Sequence, residues 1–400
     1  MNSPVGRLRP LVPLSFTLRG FYFFSFFSLG VYAPYLSLFL RSRGLSGAEV
    51  GAIWALLPLG SVLVPPLWGF VADKFRSRRV LIFSLTVAAG GSFACLLAAK
   101  SFLLLAVVVF LFSAFRTSTL PLVESATFEH LAGTGRESGD RRPAAYGRFR
   151  LWGSVGFILA SLSIGYLVDA FSIRAMVYVF LVGAGLQALL ALTLPPEDRG
   201  SRPRLGPEIV ALLRRPQFAA FLAAGFVLRT SHGPFWTFLP VHMQDIGLSG
   251  WVIGWSFAVG VAAEVIFLMY SRPLSERMGT RSLLLLAAGA AVVRWWLYTY
   301  ARTPWAFVVI SLLHALTFAA FHVASVSFVD QSTPPALKSS GQAFFSAATY
   351  GAGGIVGATL SGMFFDALGV VGLFNAASGV ALLSGVIYLV ALPRRASLSL

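Results

Sequence analysis

Within the long apolar runs of this 400-residue chain stand a few side chains that hydrocarbon would not tolerate without a reason. Arg116, Arg150, Arg229 and Arg294 are set against only two deeply placed carboxylates, Glu124 and Glu264. His314 and His322 lie eight residues apart in one of the runs. An ionisable group at the centre of a bilayer costs roughly 3 kcal/mol or more, so each of these is a functional candidate by default. Four guanidiniums against two carboxylates leave positive charge to spare, and an unpaired buried charge is costly. A substrate carboxylate would complete the balance through a bidentate pair. Arg116, Arg229, Trp236 and Phe318, with Glu124 and Arg150, are therefore candidates to hold a small organic anion with an apolar body. Glu264 is the candidate proton carrier, with His314 and His322 to relay or sense the proton and Arg294 to modulate Glu264 or bind substrate. Bland roles compete with these: Arg116 could be a structural pair, Arg19 an interfacial anchor, Asp169 and Asp366 helix caps, and His232 and His242 simple hydrogen-bonding groups.

Other chemistries are disfavoured. There is no H-E-x-x-H, nucleophile elbow or phosphate loop, so an enzyme is not expected. At a spacing of eight, His314 and His322 would sit about 80° apart round a helix and roughly 12 Å apart along it, too far to share a metal ion. The single cysteine, Cys95, lies in an apolar run and rules out a disulfide framework. No cofactor is expected, the proton gradient being the driving force.

The elements that must position these groups are membrane helices. The chain is 57% hydrophobic and only 12% charged, with a mean hydropathy of +0.78, where soluble domains carry about a quarter charged residues. Apolar runs near the roughly 20 residues a bilayer needs fall at 14–40, 49–72, 79–99, 101–131, 146–168, 174–194, 217–243, 250–271, 281–301, 304–331, 341–365 and 370–392. Twelve spans put both ends of the chain on one face. Of the 31 basic residues, 22 fall in loops and adjoining helix ends on that face and only five on the other, which predicts cytoplasmic termini in a cell inner membrane. The net charge of +16 is thus read as topology, and a nucleic-acid partner is not expected.

The halves repeat. Gly44-Leu45-Ser46-Gly47 recurs as Gly247-Leu248-Ser249-Gly250 at an offset of 203, which also relates Gly30 to Gly233, Gly51 to Gly254, Asp73 to Glu276, Lys74 to Arg277 and Arg78 to Arg281. Later spans repeat at 197: Gly156 with Gly353, Gly165 with Gly362, Asp169 with Asp366. The expected fold is all-α and integral to the membrane, with twelve transmembrane helices in two pseudo-symmetric six-helix bundles. Residues 1–194 form the first, 195–216 a cytoplasmic linker and 217–400 the second. Secondary transporters are built this way, with the site at mid-membrane between the repeats. The loop Gly69-Phe-Val-Ala-Asp73-Lys74-Phe-Arg76-Ser-Arg78-Arg79, weakly copied by Glu276-Arg277-Met278-Gly279-Thr280-Arg281, resembles the signature loop of the major facilitator superfamily. Its acid can cap a neighbouring helix while its arginines bind carbonyl ends.

Spans four and five carry PLVESATFEH (121–130) and YGRFRLWGSVGF (146–157). These resemble the lactose permease group of proton symporters, in which the positions of Glu124 and Arg150 bind substrate and those of Arg294 and His314 serve proton coupling and binding. Thr317 stands where that group has a carboxylate, span seven carries Arg229 in place of an aspartate, and Glu264 is displaced by about one turn. Residues 21–51, 146–157 and LLHALTFAAFHVAS (312–325) resemble the phenylpropionate permease branch more closely. The resemblance implies a proton-coupled symporter for a small organic solute such as an aromatic monocarboxylate, with a sugar or nucleoside symporter or a drug exporter as alternatives. The implied partners are the solute, protons and membrane lipid, and a monomer suffices.

Overall fold

The computed structural model describes residues 13–75, 78–133, 142–194 and 212–392. All twelve apolar runs are helical there, as hydrocarbon requires of a backbone that has no water to bond. In chain order the spans are α1 (Leu14–Ser42), α2 (Gly47–Leu63 continued by Pro65–Phe75), α3 (Arg78–Leu97), α4 (Phe102–Ala132), α5 (Arg142–Ala170) and α6 (Ala175–Ala191). Then come α7 in three pieces (Pro216–Thr230, Gly233–Thr237 and Leu239–Asp245), α8 (Gly250–Met269), α9 (Thr280–Tyr300) and α10 (Pro304–Ser332). The last helix, Lys338–Ala391, is broken at Gly369, whose φ of 60° divides it into α11 (338–368) and α12 (370–391).

Among the described residues, eight helices are long and apolar enough to cross a membrane, nine when the pair bent by 42° in α2 counts as one. The other three expected spans escape that measure for visible reasons. α6 is apolar but 17 residues long, α11 and α12 are fused, and α7 is interrupted. Pro234 and Pro240 open the two short pieces of α7, since proline donates no N–H to the preceding turn.

α1 packs on α5 and α6, and α3 on α4 and α6. In the second half α7 packs on α11, α9 on α12, and α8 on α10. The halves meet along two related seams, α2 on α11 and α5 on α8. The repeated sequence has a repeated structural cause. Gly44 and Gly247 have φ of 82° and 81°, the left-handed conformation that ends a helix and favours glycine. The serine two residues on starts the next helix. A side chain on Gly156 would collide with the Phe23 carbonyl, and one on Gly353 would lie 2.8 Å from the Phe226 carbonyl. Phe23 and Phe226 are related by 203, Gly156 and Gly353 by 197, so both halves use glycine to seat the same pair of helices.

Candidate functional site

Between the halves lies a cavity of about 280 Å³, near the lower end for small-ligand pockets. Tyr32 of α1 and Trp54, Leu57 and Pro58 of α2 form one wall. Arg229, His232 and Trp236 of α7, Phe318 of α10 and Tyr350 of α11 form the other. Arg229 is the key group. Its guanidinium lies 4.9 Å from the Tyr350 ring centroid, and its Nε and Nη1 have no hydrogen-bond partner. Trp236 Nε1 is likewise unpartnered. The His232 Nδ1 donates to the Leu228 carbonyl at 2.8 Å. With its proton on Nδ1, the ring leaves Nε2 as a bare acceptor, and that nitrogen has no partner. The wall therefore combines a half-buried cation, an indole donor, an imidazole acceptor and several aromatic faces.

Beside the cavity three of the proton-coupling candidates, Arg294, His314 and Glu264, are in contact. Arg294 is only 1% exposed and donates through Nη1 to His314 Nδ1 at 3.1 Å and to Thr317 Oγ1 at 2.9 Å, and through Nη2 to the Tyr298 hydroxyl at 3.4 Å. The Phe235 ring centroid is 4.3 Å from the same guanidinium. Arginine can only donate, so His314 must accept at Nδ1, and its ring proton is on Nε2. That nitrogen faces Glu264 Oε2 at 3.6 Å. Thr317, in the place of an expected carboxylate, serves as the acceptor that anchors Arg294.

The two histidines are placed differently from the helical expectation. Residues 315–320 form a wider π turn, a feature common at functional sites. It brings His314, Phe318 and His322 onto one face as three near-parallel rings, with centroids 5.3 and 6.3 Å apart and interplanar angles of 7° and 5°. The angular offset expected of a regular helix is thus cancelled. His322 Nδ1 lies 3.2 Å from the Tyr350 hydroxyl, and Tyr350 sits in a second π turn, 347–353. Rings and hydrogen bonds thus run from His314 to Tyr350 under Arg229.

The remaining candidates disperse. Glu124 accepts a 2.8 Å hydrogen bond from Tyr146, and Tyr146 stands edge-on to Tyr22. The Arg150 guanidinium lies 3.8 Å from the Phe26 ring centroid and within electrostatic reach of His322 across the halves. Neither Glu124 nor Arg150 lines the central cavity. Arg116 belongs to a different cavity inside the first bundle. In the loop motif, the Asp73 and Lys74 side chains fall outside the described residues. Gly69, Arg79, Glu276 and Arg277 are exposed, and Glu276 accepts from Arg272 at 3.0 Å. Arg78 makes a bidentate pair with Glu129 of α4 at 2.8 and 3.0 Å, tying α3 to α4. Its repeat partner Arg281 donates to the Leu389 carbonyl at the end of α12, as expected of arginines near carbonyl ends.

Asp169 caps a helix, but not its own. Its carboxylate accepts from the Gly250 and Trp251 N–H groups at 2.7 and 3.0 Å, which makes it the N-terminal cap of α8 in the other half. Tyr35 adds a hydrogen bond to the Gly250 carbonyl at 3.0 Å. At the matching start of α2, Ser46 and Glu49 form a local capping box. Tyr32, Trp54 and Tyr350 escaped the sequence reading as cavity residues, because an aromatic ring in an apolar run carries no cost that would mark it, and the sequence marks His232 only as a hydrogen-bonding group.

The chain matches the model of the MFS_1 like family over residues 15–376. A maltose permease of Geobacillus stearothermophilus is 30% identical over 83% of this chain and 83% of that one. A probable 3-phenylpropionic acid transporter of Escherichia coli (strain K12) is 30% identical over 77% of this chain and 80% of that one. A crystal structure of the nucleoside transporter NupG shares the fold, with a TM-score of 0.84 at 19% identity over 96% of this chain and all of that chain.

Proposed function

Since the chain belongs to the MFS_1 like family and is a membrane transporter, not an enzyme, we propose that it is a proton-coupled symporter importing a small aromatic monocarboxylate. The observation that carries this reading is Arg229: a half-buried guanidinium whose buried Nε and Nη1 are unpartnered, on the wall of an aromatic cavity between the halves. Among the described residues no ion pair involves it. A carboxylate there completes a charge-assisted pair, the Trp236 indole donates to its second oxygen, and an apolar ring rests against Phe318, Tyr350 and Tyr32. Maltose, nucleosides and 3-phenylpropionic acid are named for relatives of similar distance, and only the acid supplies the negative charge that Arg229 lacks.

Glu264 carries the proton. In its charged form it faces the His314 Nε2–H. Once protonated it releases that contact, while Arg294 keeps His314 in the same tautomer and orientation. Glu264 also acts electrostatically on His322 and Tyr350, so its charge is felt where the substrate anion sits. Proton and anion then move together as the halves rock, with close contact of the small residues along the two seams. The termini face the cytoplasm of a bacterial-type inner membrane, and the monomer contains the whole site. Glu124, Arg150 and the loop motif act on the cytoplasmic half of the path.

Proteoliposomes test this directly. External pH is followed on addition of aromatic acids, sugars and nucleosides to wild type and Arg229→Gln. Alkalinisation with an aromatic acid that the variant loses is the expected result. A sugar- or nucleoside-driven signal that Arg229→Gln leaves intact overturns the assigned cargo.

A further inference from the structure

A second polar cavity, of about 180 Å³, lies inside the first bundle, among α1, α2, α3, α4 and α6. It is unlike a purely hydrophobic void: beside five apolar side chains it is lined by Arg116, Gln187 and six serines and threonines. Most of those hydroxyls donate to their own helices: Thr86 to the Ile82 carbonyl, Thr117 to that of Ser113, Thr119 to that of Arg116 and Ser61 to that of Pro58. Three donors stay available. The Ser28 Oγ, in a residue 2% exposed, has no partner. The Ser25 Oγ accepts from Gln187 Nε2 at 2.8 Å, which leaves its own proton for an acceptor. Arg116 makes one long hydrogen bond, 3.3 Å to the Ser25 carbonyl, and rests against Tyr32 with 5.2 Å to the ring centroid. No carboxylate among the described residues lines the cavity.

A guanidinium and two hydroxyls with protons to give line one cavity without an acid, which calls for a ligand that only accepts. We propose that this cavity binds a small inorganic anion, a halide such as chloride, between Arg116, Ser28 and Ser25. Arg116 is half-buried in the bundle interior with no carboxylate on the cavity wall to balance it, and the anion supplies that counter-charge. The site is separate from the central cavity, but the two share Tyr32: Arg116 packs on its ring and the central cavity opens against it. The anion therefore sets the position of a ring that walls the transport path, and the inference stands whatever the transported solute is.

The test uses the full-length protein in detergent or nanodiscs, without any transport substrate. Thermal unfolding is followed by tryptophan fluorescence in sodium chloride and bromide against sodium gluconate at equal ionic strength. Both halides should raise the midpoint saturably over gluconate. Ser28→Ala should weaken the apparent halide affinity by roughly tenfold, the effect of one lost hydrogen bond to a charged group, and Arg116→Gln should abolish it. Bromide should give an anomalous scattering peak beside Arg116. If halide and gluconate titrations coincide, the cavity holds water and the proposal fails. It fails equally if Ser28→Ala and wild type respond alike to halide, since a fold defect in Arg116→Gln could not account for that.

Discussion

Arg294 is buried and Arg229 half-buried, and both stand in apolar helices, yet their surroundings separate their roles. Arg294 donates to His314, Thr317 and Tyr298 and has an aromatic ring against its face, so it holds other groups in place. Arg294 leaves only Nε without a partner, whereas Arg229 leaves both Nε and Nη1 open on the cavity wall. Replacing Arg229 by Gln should weaken binding of an aromatic acid by about 100-fold, the scale of a charge-assisted pair, as measured by quenching of cavity tryptophan fluorescence. Glu264→Gln makes a different prediction. A permanently neutral side chain should abolish accumulation driven by a pH gradient while leaving substrate exchange across the membrane intact, and radiolabelled counterflow compares the two. Gradient-driven uptake by that variant would remove Glu264 as the carrier. The charged members of this site were legible from the chain alone, because a charge in hydrocarbon needs a compensating reason. Tyr350 and His232 were not, since their importance comes from which helices face them.

At the scale of elements, α10 and α11 depart from regular geometry where they meet the site. The π turns at 315–320 and 347–353 place Phe318 and Tyr350 on the cavity wall. The regular helical period predicts His314 and His322 on different faces, and one wider turn returns them to the same one. No residue pattern in the sequence marks that turn. Close helix contact, by contrast, leaves a trace in glycine. A side chain at Gly254 of α8 would run into the Ser161 carbonyl of α5 and come within 3.1 Å of the Tyr35 hydroxyl. Gly254→Val should therefore push α5 from α8 and lower stability by about 1–3 kcal/mol, read as a fall in the thermal midpoint. Gly91→Ala, inside α3 and with nothing within 4 Å of the added carbon, should raise the midpoint slightly, because alanine favours the helix over glycine.

For the whole molecule, the question is which face is closed. The contacts of Gly51 with Gly362, Gly165 with Gly250 and Gly254 with Ser161 join the halves at the ends of their helices remote from residues 13 and 392. Asp169 reinforces that closure by capping α8 from the opposite half. A cap made across a moving interface exists only while the interface is shut, so it favours that state over its alternative. Asp169→Ala should shift the population towards opening at the remote face. Spin labels on the outer ends of α5 and α8, introduced without Cys95, should report a longer distance than in the parent protein. An unchanged distance distribution would show that the cap has no hold on the equilibrium.

What the chain determined by itself is set by solvent and period. Long apolar runs must be helices in lipid, an excess of arginine on one face predicts their orientation, and duplicated glycine and serine signals expose two related halves. The few charges in those runs then mark candidates without identifying their partners. The tertiary structure decided the pairings: Arg294 with His314 and Thr317, Glu124 with Tyr146, Asp169 with α8, Arg116 with its own cavity, and Arg229 with two donors left open. The paired residues stand 20 to more than 80 positions apart, and their contacts depend on π turns and helix breaks. Local sequence sets the cost of burying each group, whereas long-range packing selects which neighbour relieves it.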